Sequence, residues 1–127
     1  SFRSNSTESN AEQLLMLLNG TQSQENFEKF KSLIGKVSEN DVKEFSKLQV
    51  ADELSKMQER GDISSYSEED VEYLSQKQFE CYQELYKVTG KRSPLQLTSE
   101  EVDIVLRDEN VQQVLYEIKS YSESLHS

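Results

Sequence analysis

Apolar side chains recur along this chain at the three- and four-residue steps of a helix. Nowhere do they alternate with polar ones between hairpin turns, as a half-buried strand requires. The first helix is predicted to start near Ser9 and stop at Asn19-Gly20, which offers a left-handed cap. It carries Leu14-Leu15-Met16-Leu17-Leu18, apolar on every side, a pattern that belongs in a core or an interface. A second helix is expected from about Thr21 to Lys36, with Phe27, Phe30, Leu33, Ile34 and Val37 on one stripe. The third has Ser38 as N-cap and Asp41 three residues on, carries Val42, Phe45, Leu48, Leu54 and Met57, and ends at Gly61.

The fourth helix begins after Ser67, where Glu68, Glu69 and Asp70 place negative charge on the positive end of the helix dipole. Val71, Leu74, Gln78, Tyr82, Leu85 and Val88 repeat at helical spacing until Gly90 closes it. After the loop Lys91-Arg92-Ser93-Pro94, Thr98-Ser-Glu-Glu101 forms a capping box, and Leu97 with Val102 forms a hydrophobic staple. The stripe Val102, Val105, Leu106 does not continue in phase into Val111, Val114, Leu115 and Ile118. A break is therefore expected near Asp108, with Asp108 capping a sixth helix to about Ser124. Val111, Val114 and Ile118 are expected to face inward. Residues 1–8 are polar and Ser-rich and read as a disordered tail. The prediction is an all-α compact bundle of five to six helices over residues 9–127.

Composition tests whether such a bundle folds. The 127 residues fit one domain, but only 34% are apolar, against roughly 45–50% in an ordinary globular chain. Leu, Ile, Val and Phe together number 32, a quarter of the chain and above the fraction of about one fifth below which disorder is expected. A thin core follows. The net charge of −10 disfavours nucleic acid and anionic membrane surfaces, both of which need Lys and Arg to neutralise phosphate. It permits a basic protein partner. The longest apolar run, residues 14–18, is far short of a membrane span. Cys81 stands alone, so no internal disulfide forms and a reducing, intracellular compartment is favoured. The sequons Asn5-Ser-Thr7 and Asn19-Gly-Thr21 leave secretion open. A chain that begins at Ser1 without Met reads as a processed product or an excised segment.

Candidate chemistry is sparse. His126 is the single histidine, expected near a frayed end, and Glu123-Ser-Leu-His126 supplies only one of the two Glu-x-x-His pairs that a di-iron bundle needs. Cys81 sits between Glu80 and Tyr82, without the positive neighbours that favour a thiolate, and reads as a packing residue. The four glycines are scattered and build no phosphate loop. The segment 61–70 lacks the spacing of a calcium loop and reads as an acidic helix cap. Lys91-Arg92 before Ser93-Pro94 is the one basic pair in an exposed-looking loop, read as plain surface with docking or modification as the sharper alternative. No catalytic residue, no metal ligand and no cofactor is expected. The rhythm of Leu106-Arg-Asp108 through Val111, Val114, Leu115 and Ile118 resembles short helical repeats of chaperone-associated proteins, with Asp108-Glu109 where those carry Asp-Pro. That likeness is mostly amphipathic periodicity and assigns no family.

The function expected from this inventory is a non-enzymatic helical protein–protein interaction module, an adaptor or assembly domain that receives a partner helix or peptide in an apolar groove. Leu14, Leu15, Leu17 and Leu18 are the expected partner-binding residues. If so, truncating Leu15 or Leu17 weakens binding more than it destabilises the fold. The alternative is a small carrier of a lipid or other apolar ligand, enclosed by Phe27, Phe30, Phe45, Phe79 and the leucines. The 32 large apolar residues are barely enough for a packed core, which weighs against a cavity wall as well.

Overall fold

The computed structural model describes residues 9–126. Among them the fold is all-helical: α1 (Asn10–Asn19), α2 (Gln24–Ile34), α3 (Glu39–Glu59), α4 (Glu68–Thr89), a 3₁₀ turn (Pro94–Gln96), α5 (Ser99–Arg107) and α6 (Glu109–Leu125). The expected tail at residues 1–8 and the sequon at Asn5 lie outside the described residues.

The caps account for most of the boundaries. Ser38 with Asp41, Ser67 with Asp70 and Thr98 with Glu101 all close reciprocal capping boxes, as does Ser9 with Glu12. Asp108 ends α5 in an extended conformation (φ −70°, ψ 126°) and its carboxylate accepts the Val111 N–H at 3.0 Å, so one residue makes the expected break and caps the next helix. Besides α2 and α3 each ending two residues before the predicted Lys36 and Gly61, one helix start and one cap differ from expectation. The second helix starts three residues later than the predicted Thr21, because the Ser23 hydroxyl takes the Asn26 N–H while the Thr21 carbonyl accepts from the Asn26 side chain. Gly20 is extended (φ −79°, ψ −166°), not left-handed. A Cβ there would lie 3.1 Å from the Met16 carbonyl oxygen, so close approach is the constraint. Gly90 does adopt the left-handed cap, at φ 75°.

The two longest helices, α3 and α4, run antiparallel: Gln83 donates to Glu39 at one end, and Ser55 meets Tyr66 at the other. Helices α1 and α2 pack on the α3 side, α6 lies along α4, and α5 folds back onto α6 and α4. The thin core divides into three parts. Ala11, Leu14, Phe30, Ile34, Val37, Val42, Phe45 and Phe79 form the largest. A second joins Val50, Leu54, Met57, Ile63, Val71 and Leu74, with Ile118, Tyr121 and Leu125 against it. The third, under the α5–α6 hairpin, has only Leu85, Val105 and Val111 fully buried.

His126 is not at a loose end. Its backbone bridges Ile63, its N–H reaches the Glu123 carbonyl and its ring Nδ1 lies 2.9 Å from the Ser122 carbonyl oxygen. Within α3, Ser46 is fully buried and its Oγ has no hydrogen-bond partner among the described residues. A buried hydroxyl without a partner is destabilising. Replacing Ser46 by Ala is expected to raise stability by about 1 kcal/mol in urea unfolding. A loss of stability would show that Ser46 has a partner in solution.

Candidate functional site

The expected stripe of α5 is where burial fails. Val105 is buried, but Val102 and Leu106 are 37% and 51% exposed, and Leu115 across the hairpin is 40% exposed. Together they border an apolar groove of about 420 Å³. Its floor is Cys81, Tyr82 and Leu85 of α4, its walls are Val102, Val105 and Leu106 of α5 and Val111, Leu115 and Ile118 of α6, and Pro94 and Leu97 close one end.

The sequence builds this groove through the Asp108 break. A straight continuation of α5 would carry Val111, Leu115 and Ile118 out of phase with Val105. The turn lets α5 and α6 form a hairpin whose apolar edges both face α4. Polar ties hold the hairpin at a fixed height: Lys77 Nζ to Glu117 at 2.8 Å, Lys91 Nζ to Glu101 at 2.9 Å, Asn110 to Glu84 at 3.2 Å and Tyr121 Oη to Asp70 at 2.6 Å. With the hairpin pinned at its rims, α5 stands off α4 and leaves Val102, Leu106 and Leu115 facing solvent along the groove.

The groove holds no activated group. Burial, then the charge of Glu84, pushes the Cys81 thiol above its ordinary value, so it stays protonated at neutral pH and is a poor nucleophile. Burial raises Tyr82 to about 12, and its neutral hydroxyl donates to Gln49 Oε1 at 3.1 Å. No group of three or more His, Cys, Asp or Glu residues suited to a metal ion occurs among the described residues.

The leucines expected to bind a partner lie elsewhere. Leu14 is fully buried in the largest core cluster, and Leu15, Leu17 and Leu18 are half-buried against that cluster. Leu14 therefore cannot meet a partner without undocking α1. Leu17 does border a furrow between α1 and α2, beside Met16, Leu33 and the lysines Lys29 and Lys36. Packing of α1 on both α2 and α3 takes up Leu14, Leu15, Leu17 and Leu18 of the run, while Met16 stays exposed.

The loop at Lys91 is likewise less open than it reads. Ser93 is buried, its hydroxyl capping the 3₁₀ turn through the Leu95 N–H. Lys91 is tied to Glu101, and the Arg92 guanidinium lies over the Tyr86 ring at 4.7 Å. Around the segment 61–70, Asp62 pairs with Arg60, and Asp70 caps α4. No helix among the described residues is long and apolar enough to cross a membrane.

No family profile, no curated protein and no solved structure matches this chain. The signal for the groove was present in the sequence: the phase slip at Asp108 leaves more apolar positions on α5 and α6 than two short helices can bury against one neighbour.

Proposed function

We propose that this chain is a non-enzymatic protein–protein interaction module, an adaptor or assembly domain, and that its partner helix or peptide seats in the groove between α4, α5 and α6. The observation that carries this reading is the exposure of Val102, Leu106 and Leu115 along one apolar groove. Large apolar side chains grouped around a concavity whose titratable groups, Cys81 and Tyr82, both stay neutral at pH 7 suit a side-chain anchor better than a reacting substrate. The chemical character of Cys81 and Tyr82 supports the same reading, since neither is poised for nucleophilic or acid–base work.

The test is the variant Leu106→Asp. Leu106 is half exposed, so the change leaves the core intact and places a carboxylate at the groove's mouth. Affinity capture with wild-type and Leu106→Asp chains at high salt is expected to retain a partner on the first and lose it on the second. The measured Kd should rise by a factor of about 30 or more, the effect of a central anchor position, with the thermal midpoint unchanged. Equal capture by both chains would move the interface away from this groove. Stoichiometric, saturable binding of an apolar fluorescent probe by the purified chain, abolished by the same substitution, would favour the carrier reading instead.

A further inference from the structure

The groove does not end at Ile118. Gln49, Gln78 and Ile118 line it and also line a second hollow of about 310 Å³, which continues along α4 between α3 and α6. That hollow is lined further by Val50, Leu54, Met57 and Leu74, with Glu53 and Ser122 at its edges. The two together make a trough with α4 as floor. Leu74 in one compartment and Leu85 in the other are eleven residues apart on α4, about 16 Å, or three helical turns.

A polar bridge separates the compartments. Gln78 Nε2 and Tyr82 Oη both donate to Gln49 Oε1, which leaves the Gln49 amide N–H groups without a partner among the described residues. The charge around the trough is one-sided. No Lys or Arg lines either compartment, and the charged side chain that does, Glu53, makes no ion pair among the described residues. The α5–α6 hairpin carries seven acidic residues against two basic ones, a net −5 and half of the whole chain's −10.

Resting on the interaction-module reading, we infer that the occupant of the trough is a basic amphipathic helix of about three turns, with two apolar anchors roughly seven to eleven residues apart and a hydrogen-bonding side chain between them. A helix is favoured over an extended peptide because the trough runs along α4 between helical walls, and the described residues offer no sheet edge for strand addition. A second copy of this chain would bring net −10 against −10, and its α5–α6 hairpin −5 against −5. A lipid chain would have to cross the Gln49–Gln78–Tyr82 bridge and leave its open N–H groups buried.

The probe is a displayed library of 18-residue helical peptides with every position facing one side randomised, selected on the full chain. Enriched peptides are expected to hold two large apolar residues at that spacing, with Gln, Asn or Ser between them and Lys or Arg on the flanks. They are expected to shift amide resonances near both Met57–Leu74 and Leu106–Leu115. Glu53→Lys is expected to weaken the best peptide about threefold at low salt. Gln78→Leu is expected to change the selected middle residue from polar to apolar. Peptides with a single anchor, shifting only the α4–α5–α6 resonances, would overturn the two-compartment inference while leaving the proposed function standing. Acidic selected peptides would overturn the charge assignment. A library that yields no peptide sensitive to Leu106→Asp would overturn the proposed function and this inference together. A chain that sediments as a dimer, returned to monomer by Leu106→Asp, would name a second copy as the occupant and overturn the inference.

Discussion

Replacing Leu14 by Ala is expected to cost about 3–4 kcal/mol of stability, the cost of a cavity at a site that collapses poorly. Leu14 is fully buried among Ala11, Phe30, Ile34, Val37 and Phe45. The helix that carries it, α1, has only ten residues. A helix that short does not hold its own shape in water, so α1 persists because Ala11 and Leu14 dock it on α2 and α3. A loss of this size is a large share of the roughly 5–15 kcal/mol available to a domain, and here the core is thin to begin with. Leu17→Ala, at a half-buried position, is expected to cost about 1 kcal/mol. Urea unfolding of the two variants, with hydrogen exchange on the α1 amides, measures both. Should Leu14→Ala prove near-neutral in stability while weakening partner capture, the α1 leucines would be the interface after all.

That contrast between Leu14 and Leu106 marks where reading the sequence stops. Both are leucines on short helices with apolar neighbours at helical spacing. Periodicity reports which face of a helix is apolar, and burial depends on what packs over that face. Helix α1 packs extensively on both α2 and α3, whereas α5 touches α6 and α4 only sparsely and keeps Val102 and Leu106 in solvent. The helices themselves were legible because their signals are local. Ser38 and Asp41, Ser67 and Asp70, and Thr98 and Glu101 lie three residues apart and answer each other's backbone wherever they occur. The Asp108 break was legible as a phase slip. The start of α2 was not, since Thr21 and Ser23 are both adequate caps and the choice turns on where the Asn26 side chain reaches.

Less visible still was that the capping acids have second partners. Asp41, which caps α3, accepts from the Asn10 amide of α1 at 3.0 Å. Asp70, which caps α4, accepts from Tyr121 of α6 at 2.6 Å. Glu101, which caps α5, holds Lys91 at 2.9 Å. Helix start and helix docking thus rest on the same carboxylates, a coincidence that sequence separations of 31, 51 and 10 residues conceal.

This arrangement makes the fold acid-sensitive, and the expected stability maximum lies near pH 5. Four carboxylates have their pKa held below the ordinary value: Asp41 by the Asn10 amide and the Ser38 N–H, Asp70 by Tyr121 and the Ser67 N–H, Glu101 by Lys91 and the Thr98 N–H, and Glu117 by Lys77 and Gln113. A group whose folded pKa is depressed stabilises the fold above its unfolded value, about 3.9 for Asp and 4.3 for Glu, and loses that contribution as pH falls through the folded value. Acidification from pH 7 first relieves the repulsion of the −10 surface, which vanishes near the isoelectric point of 4.6. Below about pH 4.5 the loss of the four ionised partners takes over, and the thermal midpoint is expected to fall steeply down to about pH 3. Asp70→Asn separates the two effects, because Asn still caps α4 but cannot titrate. Its midpoint is expected to be lower than wild type at pH 7 and to fall less between pH 5 and pH 3. A wild-type midpoint that rises monotonically from pH 7 to pH 3 would mean that surface repulsion, not the capping carboxylates, governs stability. An Asp70→Asn curve parallel to wild type would remove Asp70 from the set and leave Asp41, Glu101 and Glu117 to carry the acid transition.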